Sequence, residues 1–363
     1  MAGIGSGGNV HEAKGVRELR TMPITSSDPN SRRTPSTETN HAKDSPAEVP
    51  NSPPLPPTTP SSPTPPPPAA PIDVLPPIAP ETALPAAYAK AQSIRDAHQA
   101  KHQSPKSKWT SPIPQMIHMV WLGGSSPVGS TECKRQWIEQ NKDWEFIFWD
   151  QESADYLMKT HFPSLWPMFQ RLPKIVMKSD WARYAVLGVM GGIYADVDAC
   201  PLKPVSQWTT VPWDKAGLVV GAEIDTDRSD YRTFANRQFQ VSSWTLLSAA
   251  GHPVWASVIH ESARRVREMY DPATDQWWPN VTAEICDRSG PAVVTDVVLH
   301  YMGMHGDTSF KALHGMTKVK VFGDAVLLPL TSFAPHAHGQ GARGKEDPEA
   351  YIGHGFWGSW KGQ

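Results

Sequence analysis

The chain is 363 residues long with a formal net charge of −2, so no basic field argues for a nucleic-acid surface. Its longest apolar stretch, 186–195, falls well short of the roughly 20 residues of a membrane span, and the opening MAGIGSGGNVHEAKG lacks the apolar core of a signal peptide. Three widely spaced cysteines, Cys133, Cys200 and Cys286, exclude a dense disulfide scaffold and a paired-cysteine zinc site, leaving room for one disulfide and one thiol.

No Trp, Phe or Cys precedes Trp109, yet all 15 tryptophans lie from there onward. Residues 1–104 therefore lack the large apolar side chains that offset ordering entropy and are expected to be a disordered tail. Within it, 50–85 is proline-rich enough for extended polyproline II, and 85–100 suits a short lead-in helix. Residues 105–363 are expected to form one domain. Its pattern alternates: strand 116–122, helix 131–141, strand 144–149, helix 152–160. Ser179 reads as the N-cap of a helix that runs to Met190 and is closed by Gly191 and Gly192. A strand is expected from Ile193 to Asp198. Further strands are expected at 217–223, 318–322 and 325–330, and helices at 253–269 and 291–302. This is an α/β rhythm, a fold class that places ligands outside the C-terminal strand ends, where Trp121 and Asp196-Val197-Asp198 fall.

Strand alternation from Ile193 predicts Tyr194, Asp196 and Asp198 on one face. Two ionised carboxylates about 6 Å apart repel by roughly 3 kcal/mol at an effective dielectric near 20, and a divalent cation would offset that. Oxygen ligands suit Mg²⁺ or Mn²⁺. A bare D-x-D triplet is more often a solvated strand end. Asp180 and Arg183, three apart on a helix, read by spacing alone as a surface ion pair. Trp121 reads as a core aromatic, although Gly123 and Gly124 permit close backbone approach. His118 reads as a hydrogen-bonded core histidine. The segment GHGFWGSW at 353–360 is too rich in glycine for a helix and is expected to fold back over the site. Glu223 and Asp296 stand at element ends, from which they could reach an acceptor. Asn280-Val281-Thr282 is a glycosylation sequon.

The ordered run SDWARYAVLGVMGGIYADVD resembles the sugar-binding region of glycosyltransferases with an Asp-x-Asp motif. Segments IPQMIHMVWLGG, Gln240 with Trp244 and Thr245, Gly251-His252-Pro253, Ser289-Gly290-Pro291, Thr295-Asp296 and Gly358-Ser359-Trp360-Lys361 extend the likeness over roughly residues 105–363. Together they resemble fungal initiation-specific α-1,6-mannosyltransferases of glycosyltransferase family 32. Val294 and His354-Gly355 depart from that pattern. The resemblance implies a single GT-A type domain, with a mixed, mainly parallel sheet flanked by helices. It implies a metal-dependent, retaining transfer of mannose from GDP-mannose to a glycan hydroxyl in N-glycan outer-chain synthesis.

Carried over residue by residue, the resemblance gives Asp196, Asp198 and His354 as ligands of Mn²⁺ or Mg²⁺. Asp180 and Arg183 hold the donor sugar, Trp121 stacks on the base, and Trp360 donates to the diphosphate. Asp196, Asp198, Asp180 and Arg183 are the expected catalytic set. Glu223 and Asp296 are expected on the acceptor side. The implied partners are a nucleotide-sugar donor, a glycan acceptor and companion mannosyltransferases, with no nucleic acid. The implied location is the Golgi lumen, with an N-terminal anchor that this sequence lacks. Two alternatives stand beside this reading: an inositol phosphoceramide mannosyltransferase, or a non-catalytic subunit of a mannan-polymerising complex.

Overall fold

A computed structural model describes residues 84–102, 109–123, 130–277 and 281–358. The expected tail up to residue 83, the sequon asparagine Asn280, and Trp360 lie outside the described residues.

The elements are α1 (Ala86–His102), β1 (Met116–Val120), α2 (Ser130–Gln140), β2 (Glu145–Trp149), α3 (Gln151–His161), α4 (Trp166–Arg171), α5 (Ile175–Met190), β3 (Gly192–Ala195), β4 (Ala199–Pro201), β5 (Leu218–Asp225) and β6 (Phe239–Ser248). There follow α6 (Pro253–Arg267), β7 (Tyr270–Asp271), β8 (Gln276–Trp277), α7 (Val281–Arg288), α8 (Pro291–Gly303), α9 (Phe310–Leu313), β9 (Lys320–Phe322), β10 (Ala325–Leu328), α10 (Leu330–Phe333) and β11 (Ile352–His354).

Seven strands form one sheet in the order β2-β1-β3-β6-β5-β10-β9. β6 and β9 run against the other five, so the sheet is mixed and mainly parallel, as expected. Its strands β1, β3 and β10 are buried along their whole length, as sheets covered by helices on both sides require. α5 is buried from Met177 to Met190 except at Lys178 and Ser179, which makes it the spine of the core. It stops where the sequence demands. Gly191 and Gly192 adopt φ of +72° and +96°, and a Cβ on Gly192 would meet the Met116 carbonyl oxygen at 2.7 Å. That reversal returns the chain as β3 beside β1.

Three features differ from the sequence reading. α5 starts at Ile175 with Lys174 as N-cap, not at Ser179, so Asp180 and Arg183 sit inside the helix rather than in its first turn. β3 ends at Ala195, and Asp196 to Asp198 form a turn instead of continuing the strand. The central antiparallel strand β6 is an addition that the alternation rule does not find. All ten of its residues are buried, Gln240, Ser242, Ser243 and Thr245 among them.

α1 packs on the domain: Tyr88 and Ala91 are buried, and the Tyr88 hydroxyl hydrogen-bonds the His161 ring at 3.0 Å. Burying one large side chain is worth about 1.5–3 kcal/mol, so truncation should be sensitive to where it falls. Removal of residues 1–83, poor in apolar area, is expected to leave the melting temperature unchanged, whereas removal through His102 lowers it by about 5 °C or more. Differential scanning calorimetry of the two truncations checks this. Equal melting temperatures would show that α1 contributes nothing.

Candidate active site

The site forms where β1 and β3, parallel neighbours, end on the same edge of the sheet. Trp121 follows β1, and Asp196 follows β3. The intervening cleft is lined by Trp121, Ser179, Arg183, Tyr194, Asp196, Asp198 and His354, among others.

Arg183 is the electrostatic centre. Its guanidinium lies 3.0 Å from Asp180 Oδ1 and 3.3 Å from Asp196 Oδ1, and it donates to the Ser243 carbonyl at 2.8 Å. The Asp180 and Arg183 side chains are only 4% and 7% exposed, so the pair is buried and the surface ion-pair reading fails. Arg183 also stacks over the Tyr194 ring, 4.9 Å from its centroid. Its Nε is buried and has no hydrogen-bond partner among the described residues.

The partners of Arg183 are themselves held. Ser289 Oγ donates to Asp180 Oδ2 at 2.7 Å, the Tyr184 hydroxyl donates to the Ser289 carbonyl at 2.7 Å, and the Tyr194 hydroxyl donates to Asp196 Oδ1 at 2.5 Å. Burial raises the Asp180 carboxyl to about 7 and raises Asp196 as well, against the opposing pull of Arg183 in both cases. Ser289 was marked in the sequence only as part of the family pattern, with no role. The sequence reading set Tyr194 and Asp196 on one face, and the hydroxyl reaches the carboxylate although the strand ends between them at Ala195.

The C-terminal strand completes the cleft. β11 pairs antiparallel with β4, which follows the Asp-Val-Asp turn directly, and this register sets His354 opposite Ala199. The expected fold-back of this segment is therefore seen. His354 Nε2 lies 3.3 Å from Asp198 Oδ1, and the Trp357 amide donates to Asp198 Oδ2 at 3.0 Å. Burial acts to raise Asp198, but these contacts outweigh it and hold the carboxyl below its ordinary value. Trp244 stacks on the His354 ring, with centroids 4.3 Å apart and planes within 4°, fixing its orientation. β4 is pinned from the other side by the disulfide Cys133–Cys200.

Asp196, Asp198 and His354 each offer one ligand atom, all within 4.8 Å of one another. Two carboxylate oxygens and an imidazole nitrogen fit a small divalent ion such as Mn²⁺. The fold also supplies cationic or hydrogen-bonding partners to both carboxylates, so their mutual repulsion is already partly met without an ion.

The remaining expected residues stand elsewhere. Glu223, on β5, is half-buried and is not among the cleft-lining residues. Asp296, on α8, is gripped by Arg237 at 2.5 Å and Arg265 at 2.7 Å, and its place in that ion-pair cluster gives it a packing role. His118 is a core histidine: Trp149 Nε1 donates to its Nδ1 at 3.1 Å, its Nε2 meets the Gly191 carbonyl at 2.8 Å, and burial lowers its pKa to about 4.

A mixed sheet thus brings Asp196, Asp198, His354 and Arg183, the last held by buried Asp180, to one cleft, and this chain is a glycosyltransferase. The family model described as the glycosyltransferase sugar-binding region containing the DXD motif matches residues 127–212. The chain is 29% identical over 292 residues to the initiation-specific α-1,6-mannosyltransferase of Candida albicans, covering 72% of this chain and 76% of that protein. It is 27% identical over 296 residues to the enzyme of the same name from Schizosaccharomyces pombe, covering 76% and 72%. Inositol phosphoceramide mannosyltransferase 1 of Schizosaccharomyces pombe is 33% identical over 97 residues, covering 26% of this chain and 30% of that protein. No helix among the described residues is long and apolar enough to cross a membrane.

Proposed function

We propose that this glycosyltransferase moves mannose from GDP-mannose to a hydroxyl of a glycan, forming an α-1,6 linkage in the outer chain of N-glycans. The observation that carries the reading is the extent of the likeness. It runs through 72% of the chain with an α-1,6-mannosyltransferase, against 26% with the inositol phosphoceramide enzyme. An intact cleft argues against a non-catalytic subunit.

Asp196, Asp198 and His354 hold a divalent ion in this reading. Such an ion supplies neutralisation of the charge that develops on the departing diphosphate. Arg183 and Asp180 bind hydroxyls of the donor sugar. Trp121 stacks on the guanine, and Trp360 donates to the diphosphate. Both carboxylates lining the cleft among the described residues, Asp196 and Asp198, are given to the ion in this reading, so the acceptor hydroxyl attacks from the face that the nucleotide leaves, with retention. The disulfide Cys133–Cys200 suits an oxidising compartment, in keeping with the Golgi lumen and a place among other mannosyltransferases.

The test is a panel of nucleotide sugars with and without α-mannose oligosaccharides, with products read by linkage analysis. GDP-mannose is expected to be consumed, a new α-1,6 bond formed, and both lost in excess chelator. Transfer from another sugar nucleotide, or transfer confined to inositol phosphoceramide, would overturn the assignment.

A further inference from the structure

Trp121 follows β1, Asp196 follows β3, and the sheet continues along the same edge through β6 to β5. Strands lie about 4.8 Å apart, so the edge of β5 stands about 10 Å beyond that of β3, on the side away from Trp121. A nucleotide sugar with its base on Trp121 and its diphosphate at the carboxylate pair therefore points its sugar, and then the acceptor, toward β5.

Glu223 is on this edge, two residues before the end of β5. The β5–β6 register is irregular on both sides of Ala222, between Val220 and Ala222 and between Ala222 and Ile224. Such bulges re-aim side chains and gather beside active sites. Other acidic groups nearby are used by the fold. Asp225 accepts from the Gly315 amide at 2.7 Å and pairs with His314 Nδ1 at 2.6 Å. Asp296 lies between two arginines. Glu223 differs: among the described residues its hydrogen bond comes from Gln240 Nε2 at a long 3.3 Å, and no Lys, Arg or His pairs with it. Burial pushes its carboxyl up to about 8, against which the Gln240 hydrogen bond pulls only in part.

We propose that Glu223 binds the acceptor, its carboxyl oxygen taking a hydrogen bond from an acceptor-sugar hydroxyl on the far side of the donor from Trp121. The inference rests on the glycan-transfer reading above and adds to it the residue that selects the acceptor.

The experiment uses the full chain as wild type, Glu223→Gln and Glu223→Ala, with steady-state kinetics in α-mannose oligosaccharide at saturating GDP-mannose, and calorimetric titration of GDP with Mn²⁺. Losing a hydrogen bond to a carboxylate predicts a fall of about 10- to 100-fold in kcat/KM for the acceptor in Glu223→Ala. Glu223→Gln, whose amide oxygen still accepts, is expected to fall less and to keep the wild-type melting temperature. GDP affinity should hold within about twofold in both. Unchanged acceptor kinetics overturn the proposal, and so does a parallel loss of GDP affinity, which would place Glu223 on the donor. If wild type consumes a different sugar nucleotide, the donor assignment fails while the same comparison, run with that donor, still decides the role of Glu223.

Discussion

Replacing Asp198 by alanine is expected to lower the transfer rate by about 100- to 1,000-fold or more, the size of effect seen when a preorganised group facing developing charge is removed. The same variant should lose the rise in melting temperature that Mn²⁺ gives the wild type. A ligand at a hundredfold excess over its Kd stabilises by about 2.7 kcal/mol, or several degrees for a domain of this size. Released GDP and thermal melts measure the two effects. Because Arg183 lies 3.3 Å from Asp196 and His354 lies 3.3 Å from Asp198, the carboxylates keep partners without the ion. Chelation should therefore stop transfer and leave the protein folded. A wild-type rate in Asp198→Ala, or full activity in excess chelator, would refute the metal assignment.

Arg183→Ala is expected to cost about 3–5 kcal/mol of stability as well as activity, because it strands Asp180 and Asp196 as buried carboxylates without their shared cation. An exposed pair at the same spacing would contribute only tenths. Denaturant unfolding measures the loss. Adding Asp180→Asn to Arg183→Ala should recover part of the stability and none of the transfer, since the neutral amide removes one stranded charge and rebuilds no sugar contact. A single variant as stable as wild type would show that water reaches the pair and that its burial is overstated.

These expectations show where sequence was a sufficient guide. The helix stop at Gly191-Gly192 was legible because only a left-handed backbone closes α5 there, while Tyr194 meets Asp196 across the end of the strand. The start of α5 was not legible: Ser179 has the chemistry of an N-cap, but Met177, buried two residues earlier, carries the helix back to Ile175. β6 escaped because its buried polar residues break the apolar pattern; Thr295 Oγ1 accepts from the Val241 amide at 3.0 Å, a contact between residues 54 apart. The Arg183–Asp196 pair was hidden likewise, since it exists only after helix and strand have doubled back. The family resemblance located the cleft residues, and geometry alone revealed that Arg183 joins both carboxylates.

The pairing of β11 with β4 also bears on how the enzyme comes into being. β4 emerges from the ribosome some 150 residues ahead of β11, so the growing polypeptide carries a sheet edge and a carboxylate turn with no histidine beside them. Any product of interrupted translation that ends before His354 lacks the strand that closes the cleft, however well its sheet has formed. On the proposed reading, competence to handle a sugar nucleotide depends on synthesis reaching His354.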